Sequence, residues 1–440
     1  MENMSKTLLA QTLGCKLNFS ETAALVARFE AAGYRSVRAG QADVCLINTC
    51  SVTETSDQKD RQAIHRIVRE HPEAFVVVTG CYAQLKPLEV AAIPGVDLVL
   101  GADFKFDAPS HVRPVKNGHA EVLVNAHQEI VRFLPACARG DRTRFFLKVQ
   151  DGCDNFCTYC TVPFARGRSR NPSVASLVRQ AEDAVAAGAK EIVLSGVNIG
   201  SFGKRPSVDT GANESLMDLL RGLDALPGDV RYRISSLEPD SLTGEMIDFV
   251  AASRHFMPHF HLPLQSGDDE VLALMHRHYR RDLFAERLDR IKAAMPDAFI
   301  GVDVIVGMRG ETPERFENSC RFLEGLPLSQ LHVFSYSERP GTKALEIPYR
   351  VTGSDKKRRS EVLHRLSEEK RRAFYASQSG RTLRVLFEHG KQADVMSGFS
   401  ENYVRVEVPW RKEWVNEVVT VRTGAFNADA SALVGTPSTD

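Results

Sequence analysis

The chain has no apolar run long enough to cross a membrane. Its polar start, Met1-Glu2-Asn3-Met4-Ser5-Lys6, has none of the apolar core of a secretory leader, and sets the expectation of a cytoplasmic protein. Net charge is absent too: 56 Lys and Arg balance 56 Asp and Glu, so any affinity for nucleic acid must come from local patches. The cysteines are nine, an odd number scattered along a chain read as non-secreted, which argues against a disulfide framework and for metal ligation in a reducing compartment. Length is what the chain has in excess. At 440 residues it exceeds one ordinary core, and 43% hydrophobic with 25% charged residues is the composition of a soluble globular protein of two or three domains.

Three blocks follow from the patterning. In the first, residues 1–138, the short apolar runs Leu8–Leu13, Val44–Asn48, Phe75–Thr79 and Val96–Leu100 alternate with helical segments, which predicts an α/β doubly wound parallel sheet. Asn18-Phe19-Ser20-Glu21 reads as a helix start with a capping box, and Gly33 as the residue that ends that helix. Periodicity fades over Asp107–Ala138, which reads as a link. The second block, 139–370, contains six strand candidates: Phe145–Val149, Glu191–Ser195, Val230–Ser235, His259–Leu264, Phe299–Val306 and Gln330–Ser335. Helical segments separate them, and six units are too few for a closed eightfold barrel, so a partial (β/α)6 barrel is expected. The third block, 371–440, lies beyond a basic helical stretch and offers Leu383–Glu388, Tyr403–Val408 and Glu417–Thr423 as strands of a small antiparallel β-barrel.

Cys153, Cys157 and Cys160, in Gln150-Asp151-Gly152-Cys153-Asp154-Asn155-Phe156-Cys157-Thr158-Tyr159-Cys160, carry the strongest chemical signal. Three thiols at this spacing grip three irons of a 4Fe-4S cube and leave the fourth open to a small molecule. The competing reading is zinc, which prefers four ligands, and no further His or Cys follows closely. A second triad is less obvious. Cys15, Cys50 and Cys81 are 35 and 31 positions apart, yet each lies just past the carboxyl end of a predicted strand. Loops at that edge of a parallel sheet converge, and ligands bind there. Cys45, Cys137 and Cys320 have no such placement and read as small buried hydrophobes.

With both triads in view, the chain resembles the radical S-adenosylmethionine (SAM) methylthiotransferases over nearly its whole length. The runs that carry the likeness are Thr12-Leu13-Gly14-Cys15-Lys16-Leu17-Asn18, Asn48-Thr49-Cys50-Ser51-Val52-Thr53, Gly80-Cys81-Tyr82-Ala83-Gln84 and Pro163-Phe164-Ala165-Arg166-Gly167-Arg168-Ser169. Lys16, where the isopentenyladenosine branch typically shows Gln, and Thr53, where it shows Arg, make the chain most similar to the branch acting on N6-threonylcarbamoyladenosine of tRNA. The resemblance implies an amino-terminal methylthiotransferase domain, a radical SAM barrel and a carboxyl-terminal TRAM domain. It also implies two 4Fe-4S clusters, one on Cys153, Cys157 and Cys160 and an auxiliary one on Cys15, Cys50 and Cys81. SAM would serve twice, cleaved to a 5′-deoxyadenosyl radical that takes hydrogen from adenine C2, and used as methyl donor to a sulfur carried by the auxiliary cluster. Implied partners are the tRNA anticodon stem-loop, a low-potential electron donor such as flavodoxin or ferredoxin, and a sulfur donor.

The same resemblance marks SAM-contact candidates at strand ends: Ser195, Gly196 and Asn198; Ser235 and Glu238; Gln265; and Val304, Ile305 and Val306. Glu238 would accept from ribose hydroxyls, or instead cap a helix or pair with Arg233, and Val304–Val306 would flank adenine or simply form a buried strand. Asp303 and His261 read as structural. Arg166, Arg168 and Arg170 are candidates for RNA phosphates or a substrate carboxylate, or else a solvated face. Arg277-His278-Tyr279-Arg280-Arg281, Lys356–Arg359, Lys370–Arg372 and Trp410–Trp414 are further basic clusters, the last joining aromatic to basic residues as RNA-binding surfaces do. Rival readings are a methylthiotransferase for isopentenyladenosine tRNA or for a ribosomal-protein aspartate, and a non-catalytic iron–sulfur RNA-binding protein.

Overall fold

The computed structural model describes residues 6–113, 116, 118–138, 143–389 and 394–437. Its first sheet contains β1 (Thr7–Thr12), β2 (Arg35–Val37), β3 (Val44–Thr49), β4 (Phe75–Gly80), β5 (Leu98–Leu100) and β6 (Glu121–Leu123), all parallel in the order β2-β1-β3-β4-β5-β6. Alternate side chains serve opposite faces. Cys45, Ile47, Val76 and Val78 pack in one core, while Val44, Leu46, Phe75 and Val77 pack in the other. This is the doubly wound arrangement, with Cys45 buried as a hydrophobe. The edge strands β2 and β6 are three residues each, too short to show in the sequence pattern.

The capping box expected at Asn18–Glu21 does not form. The helix Lys16–Ala31 starts directly from Cys15, and Asn18 turns inward to donate to the carbonyls of Leu13 and Thr49 at 2.9 and 2.8 Å. Glu21 is fully buried among cations. At the other end Gly33 takes φ +90°, as the helix stop requires.

The segment expected to be a link supplies β6 and the two-residue β7 (Cys137–Ala138). Then β8 (Arg144–Lys148), β9 (Glu191–Ser195) and β10 (Arg231–Ile234) form one parallel set, and β11 (His259–Gln265), β12 (Phe299–Val306) and β13 (Gln330–Ser335) another. The sets meet where Leu237 N–H donates to the His261 carbonyl at 3.0 Å. Phe145, Leu147, Ile192, Leu194, Leu262 and Val302 point outward into the helix layer. Strand alternation therefore turns Arg144, Phe146, Val193, Arg233, His259 and His261 into a central cavity of about 380 Å³. The cavity is polar because apolar residues occupy the outer face.

The helix Gly353–Ser377 leads to the third unit, and the expected boundary at 370/371 falls inside it. It packs on β13, where Ser367 Oγ bonds both the N–H and the carbonyl of Leu331. Arg359, expected in solvent, is 1% exposed and pairs with Glu311 at 3.1 Å. β14 (Thr382–Phe387), β15 (Val395–Ser400), β16 (Arg405–Pro409), β17 (Val418–Phe426) and β18 (Leu433–Pro437) close a five-stranded barrel, antiparallel except for the β16–β18 pair. This barrel stoppers the end of the central cavity at which the strands begin. Arg231 donates to the Arg384 carbonyl at 3.0 Å, and Arg233 to those of Ser400 and Glu401 at 2.7 and 2.8 Å. The Tyr403 ring lies 4.5 Å from that of His259.

Arg233 also pairs with Glu191 at 2.9 Å, so one buried guanidinium serves two domains. Arg233→Ala is expected to cost about 2 kcal/mol or more, since it removes one of the two arginines that answer Glu191 and strands two carbonyls. Scanning calorimetry should show a lowered transition, and limited trypsin digestion faster release of the small barrel.

Candidate functional site

Cys15, Cys50 and Cys81 come from the ends of three adjacent strands, β1, β3 and β4. Two glycines make their approach possible. Gly14 has φ +98°, and a Cβ there would stand 2.9 Å from the Cys50 sulfur. Gly80, at φ +99° and ψ −165°, occupies a region open essentially to glycine alone, with a would-be Cβ 2.4 Å from the Thr49 carbonyl oxygen. The thiols act on one another. Burial first, then the neighbouring Cys81 and Cys15, push the Cys50 thiol up to about 12. Cys50 N–H donates to Asp60 at 2.9 Å, and burial lifts that carboxyl to about 7.

Cys153, Cys157 and Cys160 lie on the loop after β8, and their thiols are likewise mutual neighbours. The Asn155 N–H points at the Cys153 sulfur (3.5 Å) and the Val162 N–H at that of Cys160 (3.4 Å), as donors to anionic sulfur would. Burial raises all three thiols, Cys160 to about 12. Metal ligation would release those protons. Arg277 stands 3.3 Å from the Cys157 sulfur and opposes the rise. Arg277, part of a basic cluster in the sequence, has a side chain only 4% exposed, stacked at 5.0 Å over Tyr279 and paired with Glu238. Glu238 therefore pairs with Arg277, not Arg233, and burial raises its carboxyl to about 7 against the pull of Arg277.

Gln150, which the sequence reading passed over, ties this loop to the next. Its Oε1 accepts the N–H groups of Val197 and Asn198 at 3.0 and 2.8 Å, and its Nε2 donates to the Gly152 carbonyl at 2.7 Å. Ser195, Gly196 and Asn198 are so held beside the cysteine loop. Asn198 Oδ1 and Gln265 Oε1 are buried without a hydrogen-bond partner, and Gln265 adopts φ +71° at an irregularity in β11. Unsatisfied buried oxygens at a strained turn beside free thiols suit a polar ligand. Ser235 lines the central cavity. Ile305 faces a second recess with Tyr159, Gln265 and Asp303. The side chains of Val304 and Val306 point the other way, into the helix-layer core, because strand neighbours alternate. His261 Nε2 meets Asp303 at 2.6 Å and stacks on His332 at 5.0 Å.

The three arginines separate. Arg168 is on the surface, over the Phe156 ring at 4.7 Å and beside Asp154. Arg166 and Arg170 are 5% and 6% exposed and face no open surface. Arg166 reaches Glu21 and Asp151, each at 3.0 Å, and Asn18 at 2.6 Å. Arg170 binds Asp151 and the carbonyls of Arg132 and Arg166. Both are held by carboxylates at the seam between the first two domains.

Comparison with known proteins agrees with this geometry. Residues 7–101 match an uncharacterized protein family, UPF0004, and residues 147–323 match the radical SAM superfamily. The chain is 37% identical to "Threonylcarbamoyladenosine tRNA methylthiotransferase MtaB" of Bacillus subtilis over 94% of its length and 93% of that protein. It is 34% identical to "tRNA-2-methylthio-N(6)-dimethylallyladenosine synthase" of Oleidesulfovibrio alaskensis over 87% of its length and 83% of that protein. In fold it is similar to the radical SAM methyltransferase TsrM of Kitasatospora setae, with a TM-score of 0.55 at 16% identity over 78% of this chain and 77% of that one. The chain belongs to the radical SAM methylthiotransferase family. It is a radical SAM enzyme of tRNA methylthiolation, with SAM and 4Fe-4S clusters as cofactors. Among the described residues no helix is long and apolar enough to cross a membrane.

Gly80→Ala tests the strand-end geometry. Strain and collision with the Thr49 backbone should cost more than about 1 kcal/mol. Thermal unfolding should show that loss, and iron analysis of anaerobically reconstituted protein a selective deficit of one cluster.

Proposed function

We propose that the enzyme replaces the C2 hydrogen of N6-threonylcarbamoyladenosine, next to the tRNA anticodon, with a methylthio group. In this reading Cys153, Cys157 and Cys160 hold the SAM-binding cluster, and Cys15, Cys50 and Cys81 hold the auxiliary cluster. When bound, these groups supply a carbon radical, a sulfur atom and a methyl group. The chain positions them and excludes water.

The observation that carries the choice of substrate is the central cavity. Lys16 of the first domain, Arg144, Arg233, His259 and His261 of the second, and His389 and Tyr403 of the third all line it. Its fixed charges are three cations, Lys16, Arg144 and Arg233, against the one carboxylate of Glu388, a balance that suits the carboxylate of a threonylcarbamoyl group, which an isopentenyl group lacks. Arg144 and Arg233 share Glu191, and Arg144 also meets Glu388 at 3.0 Å. Lys16, directly after Cys15, places a cation of the chamber next to the auxiliary centre. Arg277 and Gln150 would fix the orientation of SAM through Glu238 and the Ser195–Asn198 loop. Exposed Trp410, with Arg411 stacked at 4.8 Å over Trp414, offers RNA a stacking and cationic surface on the third unit. A low-potential flavodoxin or ferredoxin and a sulfur donor complete the reaction in the cytoplasm, where tRNA is found.

Nucleoside mass spectrometry of tRNA from a strain lacking the protein should show loss of the methylthio form of threonylcarbamoyladenosine alone. Loss of the methylthio form of isopentenyladenosine instead would overturn the substrate assignment. Ala at Cys153, Cys157 and Cys160 should abolish SAM cleavage. Ala at Cys15, Cys50 and Cys81 should retain some cleavage and lose sulfur insertion, and unchanged insertion would refute the auxiliary site. Lys16→Gln should lower turnover of the threonylcarbamoyl substrate by roughly tenfold, the worth of one charge-assisted hydrogen bond of 1.5–3 kcal/mol or slightly less.

A further inference from the structure

Between the two thiol triads lies a network of buried charge whose signs do not balance. Lys148 Nζ meets Glu21 at 2.6 Å and Asp151 at 2.7 Å. Lys105 Nζ meets Glu21 at 2.8 Å, Arg166 bridges Glu21 and Asp151, and Arg170 completes the pairing with Asp151 at 3.1 Å. All six residues are at most 6% exposed. Four cations face two carboxylates, an excess of two positive charges out of reach of water. Part of it is offset. Arg170 also donates to backbone carbonyls, and Lys148 lies 4.7 Å from the centre of the Phe133 ring. On one side the guanidinium of Arg166 and the ammonium of Lys105 line a small cleft with Gly80, Cys81 and Asp151, so that one carboxylate there answers two cations. The Arg166 charge acts on both Cys81 and Cys15, and its Nη2 shares Asn18 Oδ1 with the Cys15 thiol, at 2.6 and 4.0 Å.

A buried cation is tolerable when an anion answers it. A 4Fe-4S core of charge +2 on three thiolates carries −1, and a sulfur anion on its open iron adds more. The geometry points to Arg166, backed by Lys105, as the counter-charge of the auxiliary centre: a positioning pair that stabilises its reduced form and holds a sulfur anion, of the thiolate or hydrosulfide class, on the open iron. This inference rests on the assignment of Cys15, Cys50 and Cys81 to a cluster. Asp60, on the helix Glu54–Glu70, faces the centre from the far side of Cys50, where it accepts the Cys50 N–H at 2.9 Å.

The test uses the full-length chain carrying Cys153→Ala, Cys157→Ala and Cys160→Ala, reconstituted without oxygen so that only the auxiliary cluster titrates. Arg166→Gln leaves Glu21 paired with both lysines and Asp151 with Lys148 and Arg170, so the seam retains its main contacts. Arg166→Lys keeps the charge, and Lys105→Met removes the second cation with Arg166 intact. The midpoint potential is read by electron paramagnetic resonance, and anion affinity by titration with methanethiolate. Arg166→Gln should lower the potential by about 59 mV or more, the one-electron equivalent of a tenfold bias against the reduced state. Methanethiolate should bind at least tenfold more weakly. Arg166→Lys should restore most of both, and Lys105→Met should move both in the same direction as Arg166→Gln. Equal potentials and affinities in all four proteins, each with a full cluster, would overturn the inference while leaving the cluster assignment intact. A parent protein without any cluster would overturn both.

Discussion

The buried ion network at the seam of the first two domains is the constraint on which the rest of the site depends. Glu21 sits on the helix that begins at Cys15, and Asp151 lies two residues before Cys153. Lys148 and Arg166 bind both carboxylates at once. Each thiol triad is thereby referred to the same few atoms, and the two loops cannot shift independently. In a low-dielectric setting, removal of Glu21 or Asp151 would strand buried cations, so the two carboxylates fix the geometry of the seam. A reaction that hands an atom from one metal centre to a base activated at another needs such fixed spacing.

The second organising feature is the inversion of polarity between the two walls of the partial barrel. Leu, Ile and Val face the helices, while arginine, histidine and aspartate face inward. The inward polar groups are paired, as in Arg233–Glu191 and His261–Asp303, which leaves a polar chamber. Its lower end is occupied by the small barrel, and its upper rim carries the cysteine loop, Glu238 and Gln265. Chemistry and recognition are stacked along one axis.

Much of this was legible in the chain. The central strands announced themselves as runs of β-branched residues, and strand-end placement brought Cys15, Cys50 and Cys81 together despite their distance in sequence. The short strands β2, β6 and β7 were not, because two or three residues carry no period. Asn18–Glu21 misled for a specific reason: polar residues that look like a cap are here consumed by burial against another domain. The same holds for Arg166 and Arg170, which read as RNA or substrate contacts, and for Arg277 and Arg359, which read as members of basic clusters; all four are partners of buried carboxylates or sulfur. Sequence assigns charge to solvent by default, and only the fold reveals which charges have been enclosed. Val304 and Val306 show the converse, since a contiguous motif cannot present every side chain to one ligand when neighbours alternate.

The stopper formed by the third unit has a further consequence. Arg231 and Arg233 clasp main-chain carbonyls of the small barrel, so its attachment does not depend on which side chains that barrel displays outward. Its exterior is thus free to diverge while its docking is preserved. A nucleic acid resting on that exterior would be offered to the chamber at a constant offset, as if against a ruler, and the choice of nucleotide would follow from distance as much as from contact.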